Sequence, residues 1–141
     1  MTSRTVFAAL MLIAGMSAPH ASAAEFPNLV GEWKGMTSPV HVGSTGHAVP
    51  TGQGINFTDE FEITFNIKEQ KGNDFSGEVT TKNRTEPLVG SIREDKTEGM
   101  MVDEDGHYEF KVMDNDTIDL CYWHITSDSR VTTCFALKRS K

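Results

Sequence analysis

The chain has only two cysteines, Cys121 and Cys134, and no C-x-x-C pair. A structural zinc site takes four ligands, usually in close pairs, and a dithiol redox motif needs similarly close spacing. Neither is written here. No G-x-S-x-G, H-E-x-x-H or glycine-rich phosphate loop occurs, so no catalytic residue, metal ligand or cofactor can be assigned from a motif. No window repeats apolar residues at spacings of three and four over ten positions, which excludes a sizeable amphipathic helix from the body of the chain. No apolar run is long enough to span a bilayer as a helix. Positive charge is in the minority: 13 Lys and Arg stand against 20 Asp and Glu. That balance disfavours nucleic acid and anionic membranes as partners.

What is present begins with Arg4, an apolar run from Val6 to Met16, and then small residues. Ala21-Ser22-Ala23 and Ser22-Ala23-Ala24 both fit small-x-small cleavage, so residues 1–24 read as a removed secretory signal. The expected location is periplasmic or secreted, in a bacterium. Residues 25–141 then form one domain with a single core.

From residue 29 onward the dominant period is two. In DEFEITFNIKEQ (59–70), Phe61, Ile63, Phe65 and Ile67 share one face, while Glu60, Glu62, Thr64, Asn66 and Lys68 take the other. Successive side chains of a pleated strand point to opposite sides, so this is a half-buried strand. Shorter stretches at 29–37, 74–82, 87–93, 98–103, 106–114, 117–126 and 130–139 follow the same rule between polar turns. Together they predict an all-β chain of eight antiparallel strands. Closing them into a single up-and-down barrel removes the exposed edges, and eight strands enclose side chains or one small ligand. The long connection is 38–58, rich in Gly, Pro, Ser and Thr, and loops of that length in compact domains are often functional.

Gly31-Glu32-Trp33 at the start of the first strand, with Lys138-Arg139 ending the last, resembles the signature of the calycins, the group of lipocalins, fatty-acid-binding proteins and avidins. The resemblance implies that Trp33 plugs one end of the barrel and that Arg139 lies across it. The mature chain also resembles small secreted bacterial proteins ending in a Cys-Tyr strand, which imply no activity. Avidin-type pockets use several tryptophans, and this chain has only Trp33 and Trp123. The resemblance therefore speaks for the architecture and leaves the ligand open.

Two cysteines in a protein outside the cytoplasm most simply form one disulfide. With Ser127-Asp128 as a two-residue hairpin loop, Cys121 and Cys134 fall opposite one another at a non-hydrogen-bonded position, where Cα atoms approach to about 4.5 Å. The same register puts Leu120, Tyr122 and His124 on one side with Val131, Thr133, Phe135, Leu137 and Arg139. That set is the more apolar, so it is expected inside and the disulfide outside. Trp123 and Ile125 then form an exposed apolar patch, of the kind that marks a homodimer or protein contact.

The candidate ligand-binding residues are Trp33, Phe61, Phe65, Tyr108, Phe110, Tyr122, His124 and Phe135. Aromatic side chains fill small barrels with or without a ligand, so a pocket and a packed core both stay open. The polar tips of Tyr108, Tyr122 and His124 favour a pocket. His41, His47, His107 and His124 show no ligand spacing, and Asp103-Glu104-Asp105-Gly106 reads as a solvated turn, lacking the later carboxylate of a calcium loop. The expected function is binding of a small, partly apolar ligand in the interior. The alternative is an interaction protein, a protease inhibitor or complex subunit, acting through the 38–58 loop or the Trp123 patch. A third reading is a barrel-type isomerase or cyclase using His124 with Tyr122 or Tyr108.

Overall fold

The computed structural model describes residues 25–43 and 54–141. The expected signal segment, the middle of the long loop and His47 lie outside the described residues. The strands are β1 (Gly31–Thr37), β2 (Val40–Val42), β3 (Ile55–Phe57), β4 (Phe61–Lys71), β5 (Asp74–Thr80), β6 (Thr85–Ile92), β7 (Glu98–Val102), β8 (His107–Asp114), β9 (Thr117–Ile125) and β10 (Arg130–Arg139). Among the described residues there is no helix.

The ring runs β1-β4-β5-β6-β7-β8-β9-β10, each neighbour antiparallel, and β10 returns to β1 through Trp33–Arg139 and Lys34–Lys138. This is the closed eight-stranded barrel the alternation predicts. On β4, Ile63, Phe65 and Ile67 are buried and Phe61 is half-buried, while Glu62, Asn66 and Lys68 are exposed.

Strands β2 and β3 are additional, and both fall in the stretch read as a loop. Each has three residues, too short for a period to register in the sequence. β2 lies along β10 in the register that β1 would reach if it continued, with Thr132 opposite Val40 and Arg130 opposite Val42. Pro39 sits between β1 and β2 and has no N–H to give the ladder, which divides one strand path into two. Its carbonyl accepts from Thr58 N at 3.0 Å. β3 then pairs with β2, Val40 opposite Phe57 and Val42 opposite Ile55. The pair extends the wall beyond one end of the barrel.

The opposite end is closed by Trp33, only 1% exposed. Its Nε1 donates to Leu29 O at 2.8 Å, and the Arg139 guanidinium lies 4.0 Å from the ring centre. Arg139 also donates to the carbonyls of Val30, Asn28 and Asn115 at 2.8, 2.7 and 3.0 Å, binding the segment before β1 over the plug. The pair stands as the G-x-W resemblance implies.

In the last hairpin Cys134 is opposite Cys121, with a bridge between them and Cα atoms 4.0 Å apart. Cys121 is half-buried and Cys134 exposed, so the disulfide is on the outer wall. Leu120, Tyr122, His124, Val131, Phe135 and Leu137 are buried inside, in the expected phase.

Candidate functional site

All eight sequence-derived residues face the interior. Trp33, Phe65, Tyr108, Phe110, Tyr122, His124 and Phe135 are buried, and Phe61 is half-buried where β4 begins. Phe65 meets Tyr108 edge-on at 5.3 Å, Tyr108 leans on Tyr122 at 4.6 Å, and Tyr122 meets His124 edge-on at 6.1 Å. Phe110 instead packs on Phe75, at 5.9 Å. Toward the Trp33 end, the side chains of Leu29, Trp33, Phe65, Phe75, Phe110 and Leu137 surround a void of only about 10 Å³. That is room for about one water-sized probe and far below the several hundred Å³ of a small-molecule pocket.

The other half of the interior is polar. Tyr108 Oη donates to Asp103 Oδ2 at 2.7 Å, and Tyr122 Oη donates to Asp105 Oδ1 at 3.0 Å. The Tyr122 oxygen also lies 3.1 Å from His124 Nδ1, and His124 Nε2 lies 2.6 Å from Ser129 Oγ. A phenol has one hydrogen, and here it goes to Asp105, so His124 carries its proton on Nδ1 and donates to Tyr122. Nε2 shares its hydrogen bond with the Ser129 hydroxyl, which can donate or accept. The chain runs Ser129, His124, Tyr122, Asp105, and each link has one donor and one acceptor.

Burial, helped by the charge of Asp103 and its hydrogen bond, pushes the Tyr108 phenol well above its ordinary pKa. Burial likewise raises Tyr122, with Asp103 and Asp105 adding to it. Both phenols are held neutral, as donors. Gly106 makes this packing possible, because a Cβ there would come within 2.1 Å of the Tyr122 ring.

Three carboxylates converge at this end. Oxygens of Glu86, Asp103 and Asp105 lie within 4.8 Å of one another, the donor type that hard cations take. Arg84 already supplies positive charge there, pairing with Glu86, with Glu104 at 2.7 Å and with Asp105 at 3.5 Å. The group is an internal ion-pair and phenol network. The turn at 103–106, expected to be solvated, thus joins the interior through Asp103 and Asp105. Glu86 has no exposed surface, and it shares the inward phase of β6 with Leu88 and Ile92. That phase was its signal, hidden because the strand begins before the predicted 87. Ser129 had none, since only the folded hairpin carries it to His124. His41 and His124 both pair with Val131, from opposite sides, roughly 10 Å apart by strand spacing. His107 is exposed, stacked on Trp123 at 6.0 Å.

The outer wall carries the second feature. Paired residues of neighbouring strands share a face. One outward row crosses His107, Trp123, Thr132, Val40 and Phe57, and the next crosses Ile125, Arg130, Val42 and Ile55. Ile55, Phe57 and Ile125 are 72, 83 and 74% exposed. The long-loop stretch and the Trp123 patch, separate features in the sequence, lie on one outer face, with Thr132 and Arg130 of β10 between their apolar side chains.

The described residues therefore define an all-β, closed eight-stranded antiparallel barrel with a two-strand extension, a buried polar network and an apolar outer face. No family model matches the chain, and no curated protein matches it. Among solved structures, a redesigned β-barrel is similar over 80% of this chain and 92% of its own, with 8% identity and a TM-score of 0.41.

Proposed function

We propose that the chain is an extracytoplasmic, calycin-like barrel that works as an interaction protein, holding a protein partner on the outer face built by β2, β3, β9 and β10. The observation that carries this is that the exposed Ile55, Phe57 and Ile125 and the half-buried Val40, Val42 and Trp123 share one outer face, flanking Thr132 and Arg130 of β10. Isolated exposed apolar residues are ordinary, but a set gathered on one face marks a contact. A protease inhibitor or a subunit of a surface complex would use such a face.

Two further observations favour this reading over an interior ligand or an enzyme. The polar tips of Tyr108, Tyr122 and His124, which would orient a bound molecule, are engaged by Asp103, Asp105 and Ser129. Around Trp33 the core packs about a void of about 10 Å³. The calycin likeness draws support from Arg139 stacked on Trp33. A disulfide suits an oxidising compartment, in keeping with a periplasmic or secreted location.

The test is affinity capture from a periplasmic extract, comparing the wild-type chain with Phe57→Lys and Ile125→Lys. Both sites are exposed, so the fold tolerates the changes. A partner retained by the wild type should fall at least tenfold on either variant. Equal retention by all three proteins would move the interaction elsewhere and sink the reading.

A further inference from the structure

Resting on that reading, we infer that the partner is a second copy of this chain, joined edge to edge through β3 about a two-fold axis at Asn56. Three observations converge on this.

First, β3 ends the sheet. It pairs with β2 on one side, and no strand among the described residues pairs with the other. An open edge presents unpaired N–H and C=O groups, which another strand can complete. Edges are ordinarily guarded by shortness, lysine, proline or a bulge; Ile55-Asn56-Phe57 is short, at three residues, but carries no lysine or proline.

Second, the triplet is self-complementary. Antiparallel pairing about Asn56 sets Ile55 opposite Phe57 of the second copy, and Phe57 opposite its Ile55. An isologous contact needs this reciprocity. Each aromatic–β-branched pair is of the kind that stabilises sheets. The outward rows then continue across the axis, so that Val42 and Ile55 of one copy run into Phe57 and Val40 of the other.

Third, charge allows it here. The chain carries 20 acidic against 13 basic side chains, so two copies repel in general. Among the described residues, β2 (Val-His-Val) and β3 (Ile-Asn-Phe) are the only two strands with no Asp, Glu, Lys or Arg. Self-association is least opposed at this place. A three-residue edge buries well under the roughly 800 Å² per partner of a standard stable interface, so the dimer forms and dissociates with concentration.

Sedimentation equilibrium of the disulfide-intact chain, from about 10 μM to about 1 mM, tests this. The average mass should climb toward twice that of one chain, and Phe57→Lys should hold it at the single-chain value throughout. Asn56→Cys adds a test of register, because antiparallel pairing places the two residue-56 positions directly opposite, within disulfide reach. Mild oxidation should link that variant into dimers, and the link should fail when Phe57→Lys is added. A single-chain mass over the whole range, a dimer that survives Phe57→Lys, or no cross-link from Asn56→Cys would each overturn the inference. A chain that stays single yet captures a different protein through Phe57 and Ile125 would overturn self-pairing alone and leave the interaction reading standing. Loss of both self-association and capture would remove both.

Discussion

Arg139 lies over Trp33, its guanidinium carbon 4.0 Å from the indole centre, and holds three carbonyls from two separate segments. One side chain thus seals the barrel's plug, closes β10 against β1 and fastens residues 28–30. At an exposed site a stacked cation contributes about 0.5–1 kcal/mol, and each of the three exposed hydrogen bonds about 0.5 kcal/mol. Arg139→Ala should therefore lower unfolding stability by about 2 kcal/mol in a denaturant titration. Arg139→Lys should recover less than half, because an ammonium cannot stack and reach all three carbonyls. A loss below about 0.5 kcal/mol for Arg139→Ala would show that the plug holds without its cover.

The chain has only two tyrosines, Tyr108 and Tyr122, and both are held protonated by burial beside carboxylates. A phenol whose pKa is raised on folding contributes nothing to the pH dependence below its unfolded value of about 10. Above that value the unfolded chain releases the proton and the folded chain keeps it, so stability falls as pH rises. Ultraviolet titration should show no phenolate near pH 10 while the barrel is folded, then both tyrosines ionising together with unfolding at higher pH. Ionisation of either one near its ordinary value in the folded protein would contradict the described network.

Gly106 gives Tyr122 its place. A methyl group there would meet the ring at 2.1 Å, and the Tyr122 oxygen at 2.3 Å, far inside contact distance. Gly106→Ala should displace the ring from Asp105 and His124 and cost about 1–3 kcal/mol, the usual range for overpacking. The measurement is thermal or denaturant unfolding, together with the Tyr122 ring signals by NMR. An unshifted Tyr122 with full stability would mean that the turn at 103–106 yields freely.

The architecture was largely legible because a barrel wall obeys a local rule. In β4 and in the hairpin of β9 and β10, every second residue must meet the core, so the sequence alternates and the phase can be read directly. The cysteines added a ruler: they fall opposite one another only if Ser127 and Asp128 turn the chain, and that register sorted Tyr122 and His124 inward from Trp123 and Ile125 outward. β2 and β3 escaped because three residues in a stretch rich in glycine and proline carry too little period to separate from a loop. Their pairing is set by β10, more than 70 residues away in the chain.

The sequence by itself determined the all-β class, the strand phases, the last hairpin's register and the aromatic lining of the interior. Each of these rests on neighbours along the chain or on a two-residue turn, where local geometry leaves little choice. Only the tertiary structure decided what the polar residues do. Arg84 and Glu86 come from one part of the chain, Asp103 and Asp105 from a turn, and His124 and Ser129 from the last hairpin, and barrel closure brings them into one network. It likewise joined the long-loop stretch to Trp123 and Ile125 as a single face. Such meetings depend on which strands become neighbours when the sheet closes, and that information is spread over the whole chain.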